Sequence, residues 1–181
     1  LDRSLKRLRT DHVDIYYLHK PDPATPLADA LGALQEAIER GKALHYGVSN
    51  YPAPLLAELL QVADANGFPR PVVHQPPYSL LKRDLEADLF PLCLRERIAV
   101  VPYQVLQGGL LSGRYRRGEA PPPASRKAEK ADWLPALDDG LFDRIERIEE
   151  EAKSRGRSLP EHAVASVIEN PAVTSVVVGV R

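Results

Sequence analysis

His19, the pair Ser49-Asn50, Gln75 and Tyr103 are the residues of this chain whose types and positions could do chemistry. Each is polar, and each follows an apolar run. A neutral imidazole donates a hydrogen bond, Asn and Gln side chains both donate and accept, and a phenol ring adds a flat face. In parallel α/β folds such groups gather at the C-terminal ends of strands. Four polar strand ends in succession therefore predict one rim that lines a ligand. Plainer readings stand beside this one. A histidine can simply cap a strand end, Ser-Asn is a common loop pair, and Tyr103 could be an ordinary core tyrosine. Gln75 has less excuse, because it ends a buried strand just before Pro76-Pro77.

The elements that must position these residues alternate. Residues 13–19 are β-branched and aromatic and read as a buried strand. A helix follows, with Thr25 as N-cap, Pro26 at its first position, a stripe of Leu27, Leu31, Leu34 and Ile38, and Gly41 as its stop. Strand 44–49 leads to a helix over 54–66 with Leu55, Leu59 and Val62 in phase. Strand 71–75 leads to a helix over 84–97 that Pro91 should kink, and then to strand 98–103. Residues 108–137 are rich in Gly, Pro, Arg and Lys and read as a long loop. A helix over 139–155 carries Phe142, Ile145 and Ile148; Ser158 and Glu161 form a capping box for a helix ending near Asn170; residues 173–180 read as a fifth strand. Strand-helix alternation without hairpins implies right-handed βαβ units and a parallel sheet, and periodicity alone leaves an open doubly wound sheet and part of a barrel with helices on its outer face as alternatives. No Gly-rich phosphate fingerprint occupies the first strand-helix turn, which weighs against an open dinucleotide-binding sheet.

Composition narrows the function classes. The net charge of −1 points to no nucleic-acid or acidic-membrane partner, and no apolar run is long enough to span a bilayer. The single cysteine, Cys93, allows no internal disulfide and suits a cytoplasmic protein. His12, His45, His74 and His162 show no metal-ligand spacing, so no metal site is expected. Leu1, Leu5 and Leu8 read as one face of a helix already under way, and there is no methionine. The 181 residues are therefore expected to be a piece of a longer protein, a single domain over 1–181 that is incomplete.

Five segments carry a resemblance. Leu18-His19-Lys20-Pro21-Asp22, Gly47-Val48-Ser49-Asn50, Gln75-Pro76-Pro77-Tyr78-Ser79-Leu80-Leu81, Pro102-Tyr103 with Leu106 and Gly108-Gly109-Leu110-Leu111-Ser112-Gly113, and Val178-Gly179-Val180-Arg181 resemble aldo-keto reductases in order and spacing along the whole chain. The resemblance implies an α/β fold, a partial (β/α)₈ TIM barrel made of strands four to eight with outer helices. It implies NADPH (NADP) as cofactor and a small-molecule carbonyl substrate that is reduced to an alcohol. In that family a tyrosine acts as general acid, tuned by a lysine paired with an aspartate, on segments before the fourth strand. The present residues are thus expected to be the cofactor-binding half of the site and to be inactive alone.

Residue by residue, the resemblance makes His19 the catalytic histidine that orients the carbonyl. It makes Ser49, Asn50 and Gln75 the partners of the nicotinamide carboxamide and Tyr103 the aromatic that stacks on the nicotinamide ring. Gln104, Leu106 and Gly108 fall in the loop that wraps the pyrophosphate, Arg114 and Arg126 meet phosphates, and Gly179 and Arg181 close the motif near the 2′-phosphate. Gln104 stands where the family has Ser, Val105 where it has Pro, and Gln107 where it has a small residue. Two other readings remain open. One is a redox-incompetent nicotinamide-binding or subunit-interaction module of the same fold. The other is an independent five-stranded domain, against which the apolar outer strands 13–19 and 173–180 count as unprotected edges.

Overall fold

A computed structural model describes residues 1–130, 132 and 134–179. They form two compact units, residues 1–76 with 86–101, and residues 77–85 with 102–181.

The first unit is built on four parallel strands in sequence order, β1 (Val13–Leu18), β2 (Ala43–Ser49), β3 (Val73–Gln75) and β4 (Ala99–Val100). Between them run α2 (Leu27–Glu39), α3 (Ala53–Asn66) and α4 (Leu89–Glu96), and α1 (Asp2–Leu8) precedes β1. Sequential order with right-handed crossovers puts every connecting helix on one face, and α2 packs on α3 as α3 packs on α4. Leu31, Leu34, Leu56, Leu59, Phe90 and Cys93 of those helices are buried, as are Val48, Val73 and Val100 of the strands.

Several local expectations needed correction. Pro26 itself is the N-cap of α2, while the Thr25 hydroxyl turns back to donate to the Asp22 carboxylate at 2.8 Å. The buried face of α3 is Leu56, Leu59, Leu60 and Ala63, not Leu55 and Val62, because leucines at 55, 56, 59 and 60 offer two stripes that share Leu59. No kinked helix spans 84–97. A 3₁₀ turn covers Asp84–Glu86, and α4 starts at Leu89 behind an Asp88 cap. Pro91 is then in the first turn, where its missing N–H removes no helix bond. β1 is not buried: Ile15 is 39% exposed, as befits the edge of the sheet.

The second unit packs α6 (Asp139–Ser154) on α7 (Leu159–Ile168), with the 3₁₀ segment Gln107–Ser112 against α7. Its core joins Leu110, Leu111, Tyr115, Phe142, Ile145 and Leu159. The capping box forms as expected: the Ser158 N–H donates to Glu161 at 2.8 Å. The expected fifth strand does not form over the described residues 174–179. One bond links the Val177 N–H to the Pro102 carbonyl at 2.8 Å. Pro102 has no N–H to return, so one rung of a parallel ladder is missing there. The long loop also contains a short helix, α5 (Arg126–Glu129), tied by the Lys127 ammonium to the carbonyls of Leu134 and Pro135. Nearby, Arg117 binds Asp139, Asp143 and Glu146 of α6 at 2.6–2.9 Å.

Candidate functional site

In the first unit the strand-end residues meet. Asn50 follows β2 in the left-handed region, at φ 63°. Asn tolerates that region because its short amide can bond locally. Here its Nδ2 donates to the His19 carbonyl at 2.8 Å and to the Ser49 hydroxyl at 3.0 Å. The Ser49 hydroxyl donates in turn to the Gln75 carbonyl at 2.7 Å. His19, Ser49, Asn50 and Gln75, which follow or end three neighbouring strands, are thus one network. Ser49 is 2% exposed, and its hydroxyl both accepts and donates inside the network. It braces the rim, whereas Asn50 and Gln75 are partly exposed and His19 is exposed.

Gly47 makes room for this arrangement. It lies in register with Tyr17 on one side and Val73 on the other. A Cβ at Gly47 would meet Val73 Cγ1 at 2.6 Å, Tyr17 Cε1 at 2.7 Å and the Val73 carbonyl oxygen at 3.0 Å. Burial raises the Tyr17 phenol above its usual range, while a hydrogen bond with the Gln75 side chain acts the other way. Gly47→Ala is expected to destabilise the fold by about 2 kcal/mol, through displacement of both neighbours. Urea unfolding would show it, and an unchanged midpoint would contradict it.

Sequence reasoning set His74 aside for lack of metal spacing, yet it belongs to this rim. It is fully buried on β3, and its Nε2 donates to the Tyr51 carbonyl at 2.9 Å. Its Nδ1 is buried with no hydrogen-bond partner. Burial pushes its pKa down to about 4. The available signal was a histidine inside a short apolar strand, where an unpaired polar group is costly. Among the described residues, no three His, Cys, Asp or Glu side chains gather as metal ligands would.

In the second unit a pocket of about 580 Å³ is lined by Tyr103, Gln104, Leu106, Gly108, Arg114 and Arg126. Gly179 also borders it, while Arg181 lies outside the described residues. The pocket therefore gathers every described second-unit residue to which the resemblance gave a cofactor role. It adds Val105, Gly109, Ser112, Ala124, Glu129, Val177 and Val178, of which Gly109, Ser112 and Val178 stood in a recognisable segment. Left-handed residues recur along this segment: Gln104 at φ 59°, Gln107 at 47°, Gly108 at 63° and Gly109 at 98°. The turn is held by its own N–H groups, Gln107 to the Gln104 carbonyl at 2.6 Å and Gly109 to that of Leu106 at 2.9 Å. Gln107 faces elsewhere. Its Oε1 accepts from the Ser79 hydroxyl at 2.8 Å, so the unusual residue at 107 does not line this pocket.

The donor set fits a dinucleotide. Two guanidinium groups suit phosphate oxygens, glycines let the backbone approach, and Tyr103 supplies a ring. Glu129 contributes charge of the other sign.

A sequence model described as the Aldo/keto reductase family matches residues 1–181. An Arabidopsis thaliana protein named a probable voltage-gated potassium channel subunit beta is 31% identical over 179 residues, 97% of this chain and 55% of that protein. Human aldo-keto reductase family 7 member A3 is 40% identical over 117 residues, 64% of this chain and 35% of that protein. The solved structure of the glycerol dehydrogenase AKR11B4 from Gluconobacter oxydans matches with a TM-score of 0.79 at 27% identity, over 97% of this chain and 52% of that one. The chain thus spans about half the length, or less, of the relatives it matches. With that neighbour, the parallel α/β fold is the expected partial (β/α)₈ barrel.

Proposed function

The chain belongs to the aldo/keto reductase family, and from that premise we propose that it carries the cofactor-binding half of an NADPH-dependent reductase that turns aldehydes and ketones into alcohols. The observation that carries this reading is the bonded network of His19, Asn50, Ser49 and Gln75 at the ends of neighbouring strands. When bound, the nicotinamide would supply a hydride.

The chain's own residues do the rest. Asn50, whose two amide N–H groups go to His19 and Ser49, presents its Oδ1 as an acceptor to a carboxamide, and the Gln75 amide supplies a donor and an acceptor, with Ser49 as their brace. Tyr103 offers a ring face for stacking. Arg114 and Arg126 neutralise phosphate charge, and the left-handed turn at 107–109 brings backbone close to it. His19, exposed beyond β1, donates a hydrogen bond to a carbonyl oxygen and so orients the substrate. Cytoplasmic location and the preference for the 2′-phosphorylated cofactor belong to the same proposal. Among the described residues no helix is long and apolar enough to cross a membrane.

A test is direct binding of NADPH to the whole protein as its gene encodes it, by quenching of intrinsic fluorescence. Joint replacement of Arg114 and Arg126 by Gln is expected to weaken NADPH at least about tenfold and to flatten its salt dependence, as lost phosphate contacts do. Unchanged affinity would remove the phosphate role.

A second reading has one observation in its favour, the relative named as a channel subunit that matches nearly the whole chain. In it the same pocket holds nicotinamide cofactor without turnover, in a subunit-interaction module. A whole protein that binds NADPH yet reduces no aldehyde would favour it.

A further inference from the structure

We propose that His74 is a positioning residue for the nicotinamide carboxamide: its buried imidazole staples the left-handed turn Ser49-Asn50-Tyr51 to β3 and thereby sets where Asn50 and Gln75 present their amides. The proposal rests on the cofactor reading above and names a residue that acts only through others.

Three observations meet here. The first is conformation. Asn50 lies at φ 63°, a region uncommon for non-glycine residues that Asn reaches where its amide bonds locally, as here to His19 and Ser49. The second is how the turn is held. Three successive residues are tied by polar contacts to different places: Ser49 to the Gln75 carbonyl, Asn50 to the His19 carbonyl, and the Tyr51 carbonyl to His74 Nε2. Of these ties, only the His74 bond comes from a side chain outside the turn. The third is cost. His74 is fully buried with Nδ1 unpartnered, where an aliphatic residue would leave no orphan nitrogen. The residue is thus a poor choice as packing and a good one as a donor.

The register explains why one histidine can serve both sides of the amide pair. His74 lies opposite Val48 and immediately before Gln75, while Ser49 lies opposite Gln75. A donor on residue 74 therefore connects the strand that carries Gln75 to the carbonyl just beyond Asn50. If the bond is lost, the turn can relax toward a right-handed or extended form, and Asn50 moves with it. The phosphate-binding residues belong to other segments and should not feel the change.

The experiment compares His74→Leu, His74→Asn and His74→Gln in the whole protein as encoded. The Gln amide can reach the position of Nε2, the shorter Asn amide cannot, and Leu has no donor. Two ligands are titrated, NADPH and adenosine 2′,5′-bisphosphate, which lacks the nicotinamide. Amide hydrogen exchange of residues 49–51 is followed without any ligand. The expected result is faster exchange in the Leu and Asn variants and NADPH affinity weakened about tenfold, the effect of one buried hydrogen bond. Adenosine bisphosphate affinity should stay within about twofold, and His74→Gln should restore both readouts. If His74→Leu does not fold, the contrast of Asn with Gln decides. Equal losses for both ligands, or no rescue by Gln, would make His74 a core residue only and overturn the proposal. Wild-type protein that binds the bisphosphate but not NADPH would overturn the cofactor reading and the positioning role with it. Exchange would then report on the staple as a structural element alone.

Discussion

The 181-residue polypeptide, supplied with NADPH and a reactive aromatic aldehyde, is expected to show no enzymatic turnover. Hydride addition builds negative charge on the carbonyl oxygen, and a positioned acid must protonate it. On the proposed reading the acid is a tyrosine whose pKa is lowered, and the chain has seven tyrosines. Tyr17, Tyr46 and Tyr51 all shift the wrong way, because burial raises each phenol. The Tyr46 hydroxyl is also committed to the Pro69 carbonyl at 3.0 Å. Tyr78 and Tyr115 are buried in the second unit, and the Tyr115 oxygen accepts from the Lys127 N–H at 3.3 Å. Tyr103 lines the pocket of the second unit, and Tyr16 lies within β1. His19 can orient a carbonyl but does not replace the tuned acid, whose loss removes roughly 10²–10⁴-fold in rate. NADPH absorbance, followed on soluble polypeptide, gives the answer. A rate of about 1 s⁻¹ or more, lost on His19→Ala, would reveal a complete site in these residues.

Lowering the pH from 7 to 4 is expected to cost the fold about 3 kcal/mol through His74. The folded protein holds the ring neutral, with its pKa pushed from 6.5 to about 4 by burial. The unfolded chain takes up the proton near the ordinary value. Between these limits the unfolded state binds more protons, so stability falls as pH falls through 6.5 and the loss is complete below about 4. His12 works with the opposite sign, since the Asp11 carboxylate beside it raises its pKa, but it lies at the surface. The carboxylates held below their usual range by partners, such as Asp64 beside Arg70 and Glu146 beside Arg117, lose their contribution only below about 4.5. Urea midpoints measured across this range should drop in the native protein and stay nearly level in His74→Gln. Parallel curves for the two proteins would exclude His74 as the source.

The alternation of elements and the positions of the polar strand ends were legible in the amino-acid order alone. β-branched runs, capping residues and helix stripes are local signals, and a parallel sheet in sequence order follows from them with the handedness of crossovers. The same linear reading placed Ser49, Asn50 and Gln75 correctly at strand ends. It also picked out Tyr103, Gln104, Leu106, Gly108, Arg114 and Arg126, which share a pocket. Tertiary structure decided the rest, because it depends on which groups meet across strands. That Ser49 is a buried brace follows from the Gln75 carbonyl it reaches, 26 residues away. That Gln107 turns from the pocket follows from Ser79. Pro91 reads as a kink until the Asp88 cap moves the start of the helix to just before it, and 173–180 reads as a strand until Pro102 leaves one rung of its ladder missing. His74 illustrates the division most fully. Its letter and its apolar neighbours were legible, but its meaning lies in a carbonyl 23 residues away and in a nitrogen left without a partner. Only the folded chain brings those together, because hydrogen bonding and burial depend on distance in space rather than along the sequence.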